Sequence, residues 1–112
     1  MEVKVEEVQG VHVVSVEGEL TNLTSATFFN AVVGLRTQTG TRIVLDLHAL
    51  TYLDSAGTGQ LWRTVESARR EGGNAVLAGV PPFVRKTLDL VGIGNQVSMT
   101  ETVEEAVLSL RK

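Results

Sequence analysis

The side chains best suited to a functional role are concentrated in one segment, Asp54 to Gly59. Asp54 and Ser55 are both good helix N-caps, so one interpretation of the segment is a plain helix start. Glycine in a first helical turn costs about 1 kcal/mol relative to alanine, so Gly57 and Gly59 need a further reason. Because glycine has no side chain, we infer that the backbone and the Ser55 hydroxyl are open to a closely approaching molecule.

Known catalytic motifs do not fit this spacing. A serine nucleophile elbow has the pattern Gly-x-Ser-x-Gly, and Leu53 occupies its first glycine position. A dinucleotide fingerprint would place its third glycine where the chain has Trp62, and a P-loop would need a lysine that is absent nearby. The two histidines, His12 and His48, are joined by no carboxylate cluster at metal-ligand spacing. We therefore expect no enzymatic activity, no cofactor and no metal.

Phosphorylation of Ser55 is the functional interpretation that remains. A phosphate adds about −1.5 to −2 charges at pH 7. At a helix N-terminus it meets the positive end of the helix dipole, so the fold should tolerate it. A partner in close contact would instead face repulsion and desolvation. From the residues alone, helix capping and phosphorylation both stay open, with Thr58 as a second possible acceptor.

The elements around this segment predict a single α/β domain over residues 1–112. A hairpin turns at Gln9-Gly10, and strands are expected at Ile43–Leu47, around Ala75–Ala78 and at Gln96–Met99. With four intervening helices the order is β-β-α-β-α-β-α-β-α. Alternating strands and helices favour a mixed, mostly parallel sheet. Functional sites in such sheets favour the carboxyl ends of the strands, which points to the loop after Leu47.

The helices are predicted from apolar stripes and end signals. Their expected buried faces are Phe28, Val32 and Leu35; Leu61, Val65 and Ala68; Val84, Leu88 and Val91; and Val103, Ala106, Val107 and Leu110. Thr24 is the expected N-cap of the first helix, and Thr102 to Glu105 form a capping box for the last. The expected stops are Thr39-Gly40, Gly72-Gly73 and Gly92, and Phe83 should pack the third helix onto the sheet.

Composition narrows the class of protein. The net charge is −3, which disfavours nucleic-acid binding. Cysteine is absent, and no apolar run approaches the roughly 18 residues of a membrane-spanning helix. The first residues lack the basic flank and apolar core of a signal peptide. We expect a cytoplasmic protein with no membrane insertion.

Several stretches together resemble a known family. Residues Asp54 to Gly59 are similar to the Asp-Ser-[Ser/Thr/Ala]-Gly-x-Gly signature of the STAS domain (sulfate transporter and anti-sigma factor antagonist). Matches elsewhere are Gly18-Glu19-Leu20, the run Ile43–Leu47, Gly72-Gly73 and Gly92-Ile93. The length is typical of stand-alone bacterial anti-sigma factor antagonists.

This resemblance implies a partner-switching function. The unphosphorylated protein would bind an anti-sigma factor, itself a serine kinase of the histidine-kinase-like ATPase fold, and so release a sigma factor. Phosphorylation of Ser55 would dissociate the complex, and a serine phosphatase would restore the unphosphorylated protein. The implied partner-binding residues are Asp54, Ser55, Ala56, Gly57 and Thr58, bordered by Thr21, Asn22, Gly92 and Ile93.

Two positions depart from the family pattern, and two other functions stay open. Thr21 stands where members often carry aspartate, so kinase recognition can differ. Ala56 replaces a common serine or threonine. STAS domains also serve as accessory subunits of lipid-transport or stress-sensing complexes, and nucleotide binding has been proposed for some members.

Overall fold

The structure, a computed structural model, describes residues 1–35 and 40–111. Within them lie six strands and four helices. The strands are β1 (Glu2–Val8), β2 (Val11–Leu20), β3 (Arg42–Asp46), β4 (Leu50–Leu53), β5 (Asn74–Ala78) and β6 (Ser98–Thr100). The helices are α1 (Ser25–Val32), α2 (Ser55–Arg70), α3 (Pro82–Leu90) and α4 (Val103–Leu110), and a 3-10 turn covers Gly94–Gln96.

The sheet is mixed and mostly parallel, as predicted. Its strand order is β1-β2-β3-β5-β6. The β1–β2 hairpin is antiparallel, while β2–β3, β3–β5 and β5–β6 are parallel. Gln9 and Gly10 have φ angles of 54° and 81°, the left-handed pair of a two-residue type I′ hairpin turn.

Strand β4 is absent from the predicted element order. It pairs in parallel with the last residues of β2, Gly18 to Leu20, where β2 has left β3. In β4 the two end residues are buried and the two middle ones are exposed. A strand is predicted from strict apolar–polar alternation or from a continuous apolar run. Residues Leu50–Leu53 show neither pattern, so the sequence predicts a loop there.

Each face of the sheet is covered by helices. Helices α1, α2 and α3 cover one face, where Phe28, Leu45, Leu61 and Leu88 belong to one apolar cluster. Helix α4 covers the other face through Ala106, Val107 and Leu110. The domain therefore has three layers with two apolar cores between them, and α2 packs against the sheet through one of these cores.

Several helix predictions need correction. Val91 lies past the end of α3 and is 57% exposed, because the chain leaves the helical path there. The hydrogen bonds Gly92 N–H to Asp89 C=O (3.1 Å) and Ile93 N–H to Leu88 C=O (3.0 Å) form a Schellman ending. Phe83 is 40% exposed and does not join the core, since Val84 and Leu88 form the buried face.

The remaining differences concern element ends. Helix α1 ends at Val32, so Leu35 lies beyond it, and Thr39 of the predicted stop lies outside the described residues. Strand β3 begins at Arg42 and ends at Asp46, one residue earlier than predicted at each end. Strand β6 begins at Ser98 because the 3-10 turn takes up Gln96. The predicted capping box at Thr102 is present.

Adjacent phenylalanines in α1 provide a stability test. Phe28 is fully buried and is the buried residue of α1, whereas Phe29 is 48% exposed. We expect Phe28→Ala to lower the free energy of unfolding by about 3–5 kcal/mol, because it leaves a cavity in the core. Phe29→Ala is the matched control, with an expected loss within about 1 kcal/mol. Denaturant unfolding of both variants would contradict this packing if the two losses were equal.

Candidate functional site

The Asp54 carboxylate connects two separate loops at the start of α2. Asp54 is the N-cap, and its Oδ1 accepts a hydrogen bond from the Gly57 N–H at 2.8 Å. Its Oδ2 accepts another from the Asn22 N–H, 32 residues earlier in the chain, at 3.0 Å. Hydrogen bonds to the charged form, chiefly the one from Gly57, lower the pKa of Asp54 below its ordinary value. The carboxylate therefore fixes the β2–α1 loop beside Ser55.

The end of β2 also contacts this helix start directly. The Leu20 carbonyl accepts from the Asp54 N–H at 3.3 Å. A Cβ atom on Gly57 would lie 2.2 Å from the same carbonyl oxygen. Gly57 is thus required by internal packing, and the expectation that it leaves room for an incoming molecule is wrong. Gly59 has no neighbouring atom within 4 Å of such a Cβ, so at that position the backbone does face open space.

The two hydroxyls of the segment differ in accessibility. Ser55 is the first residue of α2 and is exposed, and its hydroxyl has no hydrogen-bond partner within the described part of the chain. Thr58 is only 6% exposed, and its hydroxyl donates to the Asp54 carbonyl at 2.9 Å. Ala56 is half-buried. Ser55 is therefore the hydroxyl that an enzyme could reach without unfolding the helix.

An open groove of about 450 Å³ lies beside Ser55. Its apolar wall includes Trp62 from α2 and Val91 and Ile93 from the end of α3. Asp54, Ser55 and Thr58 line the groove as well. Of the other predicted site residues, Gly92 is exposed between Val91 and Ile93, with a φ of 81°.

Thr21 and Asn22 belong to the β2–α1 loop, which contacts Asp54 through the Asn22 N–H, and neither residue lines the groove. The Thr24 hydroxyl accepts from the Thr21 N–H at 2.9 Å and donates to the Glu19 carbonyl at 2.9 Å. Thr24 is the N-cap of α1 as predicted, although its side chain stabilises the loop and makes no cap hydrogen bond to α1. The structure thus places the predicted residues around Ser55 on three segments of chain.

Exposed apolar side chains next to these segments were missed by the sequence reasoning. Leu23 is 89% exposed in the β2–α1 loop, and Leu90 is 77% exposed beside Val91 at the end of α3. Tyr52 of β4 is 53% exposed. Leu23 and Leu90 could have been identified from the sequence, because each is an apolar residue that lies outside the predicted helical stripes. Clusters of exposed apolar residues commonly mark protein–protein interaction sites.

Comparison with known proteins decides the family. The model of the STAS domain matches residues 2–106. The chain belongs to the STAS domain family. No described helix is long and apolar enough to cross a membrane.

Three solved structures share the fold over almost the whole chain. An anti-sigma factor antagonist from Mycobacterium paratuberculosis is 27% identical with a TM-score of 0.86, covering 99% of this chain and 94% of its own. An anti-sigma factor antagonist (STAS) domain protein from Planctomyces limnophilus is 18% identical with a TM-score of 0.80, and the match covers 96% of this chain and 95% of that protein. The Bacillus cell fate determinant SpoIIAA in its phosphorylated form is 22% identical with a TM-score of 0.66, and the match covers 96% of this chain and 98% of that protein.

The lowered pKa of Asp54 predicts a pH effect. A carboxyl group whose pKa is lower in the folded state stabilises the protein above its unfolded pKa of about 3.9, and this stabilisation is lost as pH falls through the folded pKa. We expect wild type to be more stable than Asp54→Asn at pH 7, with the difference shrinking below about pH 4. Denaturant unfolding of both proteins from pH 7 to pH 2.5 measures it. A difference that stays constant with pH would contradict a role for the Asp54 charge.

The two glycines of the signature predict opposite effects of alanine. Gly57→Ala would press a Cβ into the Leu20 carbonyl, so we expect it to destabilise the fold by about 2 kcal/mol or more. Gly59→Ala has free space and should stabilise α2 by up to about 1 kcal/mol. Thermal and denaturant unfolding of the pair would measure the contrast. Equal effects at both positions would contradict the conclusion that the contact with Leu20 requires glycine at position 57.

Proposed function

We propose that this protein is an anti-sigma factor antagonist that is switched off by phosphorylation of Ser55. The observation that carries the proposal is the exposed hydroxyl of Ser55, the first residue of α2, which lies beside an apolar groove and has no hydrogen-bond partner among the described residues. The 27% identical Mycobacterium paratuberculosis protein, named as an anti-sigma factor antagonist, supports the class of function.

The partner surface extends to both sides of Ser55. On one side lie Thr21 and Asn22, held against Asp54, with the exposed Leu23 next to them. On the other side lies the α3 end, with Val91, Gly92 and Ile93. This arrangement suits an interface with a central polar spot and apolar neighbours, in which any added charge would be desolvated.

A phosphate on Ser55 would act on this interface more than on the fold. The helix N-terminus favours the added negative charge, while the neighbouring Asp54 carboxylate opposes it, so the two effects on stability offset each other. In a complex the same dianion would meet a closely packed partner, where loss of contact and desolvation cost several kcal/mol. Each 1.4 kcal/mol changes affinity tenfold, so one phosphate suffices to end binding.

The proposed partners are those that the family resemblance implies. The unphosphorylated protein binds an anti-sigma factor with serine kinase activity, of the histidine-kinase-like ATPase fold, and thereby releases a sigma factor. The same kinase transfers the γ-phosphoryl group of ATP to the Ser55 oxygen and leaves ADP. A serine phosphatase then removes the phosphate by hydrolysis and restores the binding form.

A comparison of bait proteins tests the proposal. Wild type, Ser55→Ala and Ser55→Asp are immobilised in parallel, with Ser98→Asp as the control for an added charge on an exposed serine elsewhere. We expect an anti-sigma factor kinase to bind wild type, Ser55→Ala and Ser98→Asp, and to bind Ser55→Asp at least about tenfold more weakly. Incubation with that kinase and ATP should phosphorylate wild type but not Ser55→Ala.

Two results would contradict the proposal. One is a partner set that is identical for all four baits and contains no kinase, which would favour an accessory role in a larger assembly. The other is loss of binding in Ser98→Asp to the same extent as in Ser55→Asp, since that would make the effect one of net charge and not of position.

A further inference from the structure

Strand β1 leaves one edge of the sheet unpaired. It is seven residues long, lies at the end of the strand order and pairs with β2 alone among the described strands. The other edge strands of the described sheet are shorter, with four residues in β4 and three in β6. Native proteins usually shorten or cover exposed edge strands, because an open edge can pair with another strand. The edge of β1 is therefore a candidate docking site for a further strand.

The hairpin turn decides which backbone groups of β1 point away from the sheet. In a two-residue hairpin the residues that flank the turn, here Val8 and Val11, form a hydrogen-bonded pair. Hydrogen-bonded and non-hydrogen-bonded pairs then alternate along the ladder, so the register places Val3, Val5 and Glu7 in non-hydrogen-bonded pairs. Their N–H and C=O groups therefore point to the free edge, where no described strand pairs with them.

A second copy of β1 fits this edge in one register. Outward-pointing groups must meet outward-pointing groups, so the two-fold axis of an antiparallel pair passes through a residue of the strand. An axis at Lys4 or Glu6 would set that charged side chain against its own copy, which is unfavourable. An axis at Val3 or Glu7 would leave part of the strand unpaired. An axis at Val5, the middle residue of β1, pairs the whole strand and sets each Lys4 against the Glu6 of the other copy.

The side chains that this register uses are available. Lys4 and Glu6 are exposed on one face of β1, and neither forms an ion pair within residues 1–35 and 40–111. Val5 lies on the other face and is 42% exposed, so the Val5 of a second copy would remove apolar surface from water. Cross-strand pairs of opposite charge stabilise antiparallel strands, so charge and backbone geometry favour the same register.

We propose that this protein forms a symmetric dimer in which two β1 strands pair antiparallel about Val5. Backbone hydrogen bonds join Val5 to Val5 and Val3 to Glu7, and the pairs of Lys4 with Glu6 fix the register. One continuous sheet then runs through both copies. No residue of β1 lines the groove beside Ser55, so the proposal does not rest on the switch at Ser55.

Charge exchange between positions 4 and 6 tests the proposal. Sedimentation velocity from about 5 µM to about 500 µM should show that wild type dimerises with a Kd below about 100 µM. We expect Lys4→Glu and Glu6→Lys each to weaken the dimer at least about tenfold, because the opposite-charge pairs become like-charge pairs. The double variant Lys4→Glu/Glu6→Lys restores opposite charges and should dimerise like wild type.

The two single variants provide a second test when they are mixed. Lys4→Glu leaves acidic side chains at both positions and Glu6→Lys leaves basic ones, so an equimolar mixture should form a heterodimer. Glu2→Lys is the matched control, since it makes the same charge change on the same face but lies opposite Val8 of the other copy. It should dimerise like wild type. All three substituted side chains are exposed, so we expect each variant to fold.

Amide hydrogen exchange locates the interface. The outward-pointing N–H groups of Val3, Val5 and Glu7 should gain protection as the concentration of wild type rises. The N–H groups of Lys4 and Glu6 already point to β2 and should change little.

Four results would overturn the proposal. Wild type that stays monomeric at about 500 µM would leave the edge to a strand of a different protein. A loss of dimer in Glu2→Lys as large as that in Glu6→Lys would contradict the register. So would the absence of a heterodimer when Lys4→Glu and Glu6→Lys are mixed. A dimer without added protection at Val5 would place the interface elsewhere on the molecule.

Discussion

The two hydrogen bonds accepted by the Asp54 carboxylate are the interaction on which the site depends. They join the loop after β2 to the first turn of α2 at one point, through the N–H groups of Asn22 and Gly57. The Leu20 carbonyl adds a third bond and lies so close to Gly57 that no larger residue fits. Because these contacts meet at one point and support one another, they hold the start of α2 in place and present Ser55 at a fixed position.

This rigidity explains how one serine could control binding without controlling the fold. The Ser55 hydroxyl lies outside the Asp54 hydrogen-bond network and has no partner to lose among the described residues. A phosphate there changes the charge of a surface bordered by Asn22 on one side and Ile93 on the other.

The sequence predicted the fold well wherever a pattern was long enough to be periodic. The hairpin, the parallel strands and the apolar stripes of α2 and α4 follow directly from it. Strand β4 could not be predicted, because its four residues do not alternate, and Val91 was misplaced because a helix end breaks the period. Ser55 could be identified from the residue types around it. The packing requirement for glycine at position 57 could not, because the contact with Leu20 joins positions 37 residues apart in sequence and exists only in the folded chain.

Amide hydrogen exchange on protein carrying phosphoserine at position 55 tests the central claim most directly. The comparison is with unmodified protein under the same conditions. The account predicts altered protection only in the first turn of α2 and in the loop containing Asn22, with core amides of β3 and β5 unchanged within about 1 kcal/mol of opening free energy. Loss of protection throughout β3 and β5 would contradict it, because the phosphate would then act by unfolding the domain and not by blocking its partner.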